Sequence, residues 1–96
     1  MSLAQKKISE KKVNELLKKC CLEAQIGLYK ISQRFSSGFP DWIAVKNKVI
    51  FFEAKAPGES LTPLQKYVCR SLMRNGAEVY RVTIEDGELT FKDPLE

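Results

Sequence analysis

Two β-rich runs joined by a tight turn constrain this fold more than any other feature. Residues 41–45 and 48–56 are dense in β-branched and aromatic side chains, and Lys46-Asn47-Lys48, whose last residue opens the second run, joins them. Such runs read as strands. Asn47 tolerates the left-handed conformation that a tight hairpin needs. If Asn47 is the middle of a three-residue loop, cross-strand partners have numbers summing to 94. Val45 then faces Val49, Ile43 faces Phe51, and Asp41 faces Glu53. Directly opposed residues have Cβ atoms about 4.5–5.5 Å apart. A register slip of one residue would put the two carboxylates on opposite faces. Lys55, two residues beyond Glu53, leaves the same face of the strand. Val49 and Phe51 share that face and read as core, so the face turns from apolar to charged at its end, where a site is expected.

The remaining elements fall around the hairpin. Over residues 9–25, Val13, Leu16, Leu17, Cys20, Cys21 and Ala24 repeat as the buried stripe of a helix. Ser9 can cap it, or Ser2 with Gln5 can form an earlier capping box, and Gly27 is a natural stop. Residues 28–33 alternate as a short strand, and 34–40 carry the Ser, Gly and Pro of a loop. Thr62-Pro63-Leu64-Gln65 opens a second helix, with Leu64, Tyr67, Val68, Ser71 and Leu72 as its inner face. Asn75-Gly76 ends that helix. Residues 78–84 read as a strand, Asp86-Gly87 as a turn, and 88–91 as an added edge strand. The expected fold is α/β: a small mixed sheet flanked by two helices, in the order α-β-β-β-α-β with the extra edge strand. All 96 residues read as a single domain, with no repeat or linker.

Composition narrows the chemistry. The chain has no histidine, which removes Ser-His-Asp and Cys-His catalysis, histidine-ligated zinc and HNH-type nucleases together. Any general base must be Asp, Glu, Lys, Tyr, Cys or water on a metal. Cys20, Cys21 and Cys69 are odd in number and lack C-x-x-C spacing, so a disulfide framework or zinc knuckle is not expected. Free thiols suit a reducing cytoplasm. No purely apolar run exceeds the four residues of Val49 to Phe52, too short for a bilayer, and residues 1–12 lack the apolar core of a signal peptide. Sixteen Lys and Arg against twelve Asp and Glu leave a net charge of +4, compatible with an anionic partner such as nucleic acid.

Asp41, Glu53 and Lys55 together suit one chemistry. Two carboxylates hold a hard divalent cation such as Mg²⁺ through oxygen ligands. The cation polarises a phosphoryl oxygen and acidifies water, and the lysine positions that water or stabilises developing charge. The expected reaction is metal-dependent phosphodiester hydrolysis. At 100° per residue, Glu10 falls near Leu17 and Cys21 on the buried side of the first helix, whereas Glu15 points away and is expected to be solvated.

Gly38-Phe39-Pro40-Asp41 followed, after a hairpin, by Glu53-Ala54-Lys55 is the PD-(D/E)-x-K nuclease pattern. With Pro57-Gly58 and Leu61-Thr62-Pro63-Leu64-Gln65 downstream, the chain resembles a stand-alone VRR-NUC domain, the virus-type replication and repair nuclease family of phage and bacteria. The resemblance covers residues 10–82. It implies a restriction-endonuclease-like core binding Mg²⁺ or Mn²⁺ through Asp41, Glu53 and the Ala54 carbonyl. Glu10 is the positional match for an acidic residue on the first helix, and Gln65 belongs to the family pattern. It also implies a homodimeric endonuclease acting on branched DNA, including four-way (Holliday) junctions, in DNA repair. A less selective nickase or exonuclease of the same superfamily is the nearest alternative; a non-catalytic DNA-binding module is the other.

Several of these residues also have ordinary explanations. Gln65 suits a capping box, and Glu10 suits a first turn where the helix dipole favours an acid. Lys7, Lys11 and Lys18 form a stripe on the first helix that can be a solvated face or can hold DNA backbone, as can Lys30 and Arg34. Trp42 and Phe39 can stack on bases, but core packing or a dimer contact is the expected role. Cys20 and Cys21 are expected to be small buried thiols.

Overall fold

The computed structural model of the protein describes residues 8–31 and 37–96. Its elements are α1 (Glu10–Glu23), β1 (Gly27–Lys30), β2 (Trp42–Lys46), β3 (Lys48–Ala54), α2 (Pro63–Arg74), β4 (Glu78–Glu85) and β5 (Glu88–Lys92). The five strands lie in sequence order in one mixed sheet. Only the β3–β4 pair is parallel, and α2 makes the crossover between them. No described helix is long and apolar enough to cross a membrane.

The hairpin has the expected register. Val45 pairs with Val49, Ile43 with Phe51 and Trp42 with Phe52. Asn47 takes φ 66° at its tip. Asp86 and Gly87 both have positive φ, the two-residue turn that matches strand twist, so β5 forms as an edge strand.

The sheet has a helix on each face. On one side Val13, Leu17 and Cys21 of α1 pack on Trp42, Ala44, Phe52, Ala54, Val82 and Ile84. On the other, Leu61 and Cys69 pack on Val79, with Phe51, Leu72 and Met73 partly buried beside them. Alternate residues at the C-terminal end of β3 thus enter different cores. Ser9 caps α1, accepting from the Lys12 N–H at 3.2 Å. The alternative cap at Ser2 and Gln5 lies outside the described residues.

Five expectations need correction. Val49 is 52% exposed, because α2 reaches only the far half of β3. The inner face of α2 is Cys69, Leu72 and Met73, whereas Leu64, Tyr67 and Ser71 are exposed. The helix is rotated so that Gln65 and Cys69, four residues apart, share the sheet-facing stripe. Cys20 is exposed and only Cys21 of that pair is buried. Gly27 does not stop α1: Gln25 adopts φ 59° and Gly27 opens β1. That strand ends at Lys30, and residues 32 and 33, expected in it, lie outside the described residues.

Candidate active site

The candidate site lies where β2 begins and β3 ends. The antiparallel ladder stops at the Trp42–Phe52 pair, one step before Asp41 and Glu53. There the Ala54 backbone N–H donates to Asp41 Oδ2 at 3.2 Å, so a side chain takes over from the ladder. Upstream, Gly38 adopts φ 85°. A Cβ on Gly38 would lie 2.8 Å from Leu64 Cγ and 3.2 Å from Leu64 O. The loop carrying Phe39, Pro40 and Asp41 thus rests against the start of α2, and only glycine satisfies both the dihedral and the approach. Phe39 packs edge-on against Phe51 at 5.7 Å and Trp42 is buried among core residues, so both aromatics serve packing.

Among the described residues, Glu53 has the most displaced pKa. Its residue is 3% exposed. Oε2 accepts from Gln65 Nε2 at 3.2 Å, and Oε1 is buried with no hydrogen-bond donor from another group. Burial, then the charge of the neighbouring Asp41 carboxylate and a carboxyl–carboxylate hydrogen bond with it, pushes its pKa up to about 9, against a smaller opposing pull from Lys55. Gln65 does two jobs. Its Oε1 accepts the Thr62 N–H at 2.9 Å while Thr62 Oγ1 accepts the Gln65 N–H at 3.1 Å, a complete capping box. The remaining amide N–H group then points at Glu53.

Glu10 joins the cluster from the opposite helix. Its carboxyl is raised from its ordinary value by partial desolvation first and Asp41 second, while Lys55 pulls it down. It is not on a buried stripe as helical phase implied: it is solvent-exposed in the first turn, and Glu15 lines the same groove. Lys55 is half-buried, with its backbone N–H bonded to Val82 O at 2.9 Å. Among the described residues no three acidic or thiol side chains meet at one point. The inner part of the cluster is therefore Asp41 with Glu53, and Glu10 stands outside it.

A cation fits the inner pair for a physical reason. Two adjacent carboxylates cannot both ionise in a buried setting without a counter-charge. An unpartnered buried oxygen incurs the full desolvation penalty. Hard divalent ions take such oxygens as ligands.

Of the expected nucleic-acid contacts, Lys11, Lys18 and Lys30 are exposed around a groove of about 590 Å³ that Glu10 also lines. Lys7 and Arg34 lie outside the described residues. Two residues at the site escaped the sequence reading. Arg81 is the parallel-strand partner of Glu53, is buried, and donates from Nη1 to Glu59 O at 3.4 Å, tying down the loop after Lys55. Asn14 accepts the Trp42 indole N–H at 2.7 Å, fixing α1 over β2. The β3–β4 register would have revealed Arg81; nothing local in the sequence marks Asn14. No protein-family model matches the chain, and no curated protein is significantly similar to it.

Proposed function

We propose that this protein is a Mg²⁺- or Mn²⁺-dependent DNA endonuclease of the VRR-NUC type in the PD-(D/E)-x-K superfamily, acting on branched DNA as a homodimer. The observation that carries the reading is Glu53: a buried carboxyl, one oxygen of which meets no donor, held against the Asp41 carboxyl at the open end of two strands. Lys55 offsets the paired carboxylates only in part, so a bound cation would complete the charge balance among the motif residues.

Asp41, Glu53 and the Ala54 carbonyl would hold the cation, with Glu10 assisting from the outer side. When bound, the cation supplies Lewis-acid polarisation of the scissile phosphate and neutralises its charge. Gln65 keeps one Glu53 oxygen engaged, which fixes the carboxylate plane and leaves Oε1 for a ligand. The Ala54 N–H does the same for one oxygen of Asp41. Lys55 donates hydrogen bonds to the attacking water or to the phosphoryl oxygen where negative charge develops. Lys11, Lys18 and Lys30, with Lys7 and Arg34 outside the described residues, neutralise the DNA backbone. Two copies related by a two-fold axis would present two such sites to the arms of a branch.

The test is cleavage of matched four-way, flap and linear duplex DNA in EDTA, Mg²⁺ and Mn²⁺, with Asp41→Asn and Lys55→Ala alongside. Metal-dependent cutting should fall at least 100-fold in both variants, the size of effect for one transition-state donor, while DNA binding persists. Unchanged cutting in both would remove the assigned residues. Equal cutting of all substrates would keep the nuclease and discard branch selectivity. Binding without cutting in any metal would leave a DNA-binding module.

A further inference from the structure

The α2 side of the sheet is covered at one end only. Val79 and Phe51 pack beneath α2. In the ladder, Phe51 pairs with Ile43 and Ile43 with Tyr29, so the same row of side chains runs on across β2 and β1. The row emerges from cover as it goes: Val79 is buried, Phe51 and Ile43 are half-buried, and Tyr29 is 60% exposed. The next row, Val49 with Val45 and Gly27, is open as well, with Val49 52% exposed. A Cβ on Gly27 would stand 3.3 Å from the Tyr29 ring, so the ring lies back over the glycine and the surface is flat. Toward the site the patch runs through Phe39, which packs on Phe51, to Leu64, exposed against the Gly38 turn. The charges of the hairpin avoid this side. Lys46 and Lys48 point to the α1 side, where Lys46 donates to Ala24 O and Lys48 pairs with Glu78. The open apolar area is roughly 400–500 Å², taking a large side chain at about 200 Å². A standard interface takes about 800 Å² from each partner, of which about 60% is apolar. The patch is the size of one such apolar core.

Charge selects the occupant. Nucleic acid is held by cations, and the two open rows contain none. The chain has a net charge of +4, so two copies repel except where both surfaces are uncharged. A two-fold contact sets one patch against itself, and flat rows of β-branched and aromatic side chains pack face to face about 10 Å apart. We propose that the apolar face of β1, β2 and the hairpin end of β3, bounded by Leu64, is a two-fold interface with a second copy of this chain. The two-fold assembly belongs to the nuclease reading, on which the proposal rests for its partner; the proposal adds where the copies meet. It brings the contact up to Leu64, and so to the Gly38 turn that leads to Asp41.

Mass in solution, measured by light scattering in EDTA without DNA, tests the interface apart from any cleavage. At tens of micromolar the wild type should show twice the 10.9 kDa chain mass. Val49→Glu and Val49→Lys each put a charge into the face at a half-exposed position, so the monomer should keep its circular dichroism. Each should raise the dimer dissociation constant by at least about 100-fold, because two like charges are then buried together. Mixed, the two variants should pair at least about tenfold more tightly than either pairs with itself, and native mass spectrometry should show the heterodimer. Leu22→Glu adds the same charge on α1 at a 79% exposed position and should leave the dimer unchanged. Should a Val49 variant lose its circular dichroism, Tyr29→Glu and Tyr29→Lys carry the same test from the exposed end of the row. A monomeric wild type overturns the proposal and leaves the face to a different partner. A dimer that survives the charged variants, or that Leu22→Glu weakens equally, overturns it by placing the contact elsewhere. Folded variants of opposite charge that fail to pair overturn it too. Cutting of linear duplex is read separately. No cutting in any metal, with the dimer and its response to charge intact, overturns the catalytic reading and keeps the interface.

Discussion

Glu53 and Gly38 each bind a physical penalty to one atom. For Glu53 the penalty is electrostatic. Its carboxyl has an ordinary value of 4.5 in the unfolded chain and about 9 in the fold. The native state therefore holds a proton that the unfolded chain has released across that window. It follows that stability falls as pH rises from about 4.5 toward 9, by at most about 1.4 kcal/mol per pH unit. Glu53→Gln keeps the Gln65 contact without the charge. In EDTA its melting temperature should exceed that of wild type at pH 8, and the gap should close near pH 5. Adding Mg²⁺ at pH 8 should stabilise wild type and not the variant. A gap that is constant with pH would mean that Glu53 is ionised in the metal-free fold. For Gly38 the penalty is steric. Its left-handed φ and the 2.8 Å approach to Leu64 leave no place for a methyl group. Gly38→Ala should cost about 1–3 kcal/mol in urea unfolding and shift the loop that sets Asp41. A loss below 0.5 kcal/mol would show that the loop relaxes freely. Both residues were legible in the sequence as motif members. Their penalties were not, because burial and the Leu64 contact come from chain segments distant in sequence.

At the scale of elements, the two helices end by the same device with different residues. In α1 the Ile26 N–H bonds to Cys21 O and the Gln25 N–H to Leu22 O. In α2 the Ala77 N–H bonds to Leu72 O and the Gly76 N–H to Met73 O. Both are Schellman closures, whose turning residue needs positive φ. Gly76 meets that need at φ 94°, and Gln25 meets it at φ 59° against a side-chain penalty. Gln25→Gly should therefore stabilise the protein by about 1 kcal/mol, and Gly76→Ala should destabilise it similarly. Thermal melts would register each as a shift of roughly 4–8 °C. A fall in the melting temperature of Gln25→Gly would mean that unfolded-state entropy outweighs the strain. The helix endings also show what a sequence conveys. Asn75-Gly76 announces its turn, and so does the capping box at Thr62, because both are local chemistry. The end of α1 carried no glycine at the turning position and was misplaced toward Gly27. The phase of α2 was missed because apolar Leu64 and Tyr67 outcompete Gln65 and Cys69 in any count of hydrophobicity. Only the sheet decides which stripe is inward.

For the whole molecule, the decisive fact is that one strand serves two cores and the site at once. Along β3, Phe52 and Ala54 face α1, while Phe51 packs on the α2 side and Glu53 meets Gln65 of α2. Glu10 comes from α1. The charged cluster is thus assembled only when both helix layers are docked, and neither layer can loosen without moving a strand that the other packs against. Unfolding should then be a single transition. Trp42 reports on the α1 side, and Leu61, 4% exposed, belongs to the α2 side. Leu61→Ala should cost about 2–5 kcal/mol, a large part of the 5–15 kcal/mol typical of a small domain. If the two cores are coupled through β3, the loss on the α2 side will appear in full in Trp42 fluorescence, at the same urea midpoint as far-UV circular dichroism and with an unchanged slope. A Trp42 midpoint that stays at the wild-type value while the dichroism midpoint falls would mean that the α2 layer unfolds separately. Glu53 would then lose Gln65 before the fold is lost, and the candidate site could open by local unfolding with Glu10 and Asp41 still in place.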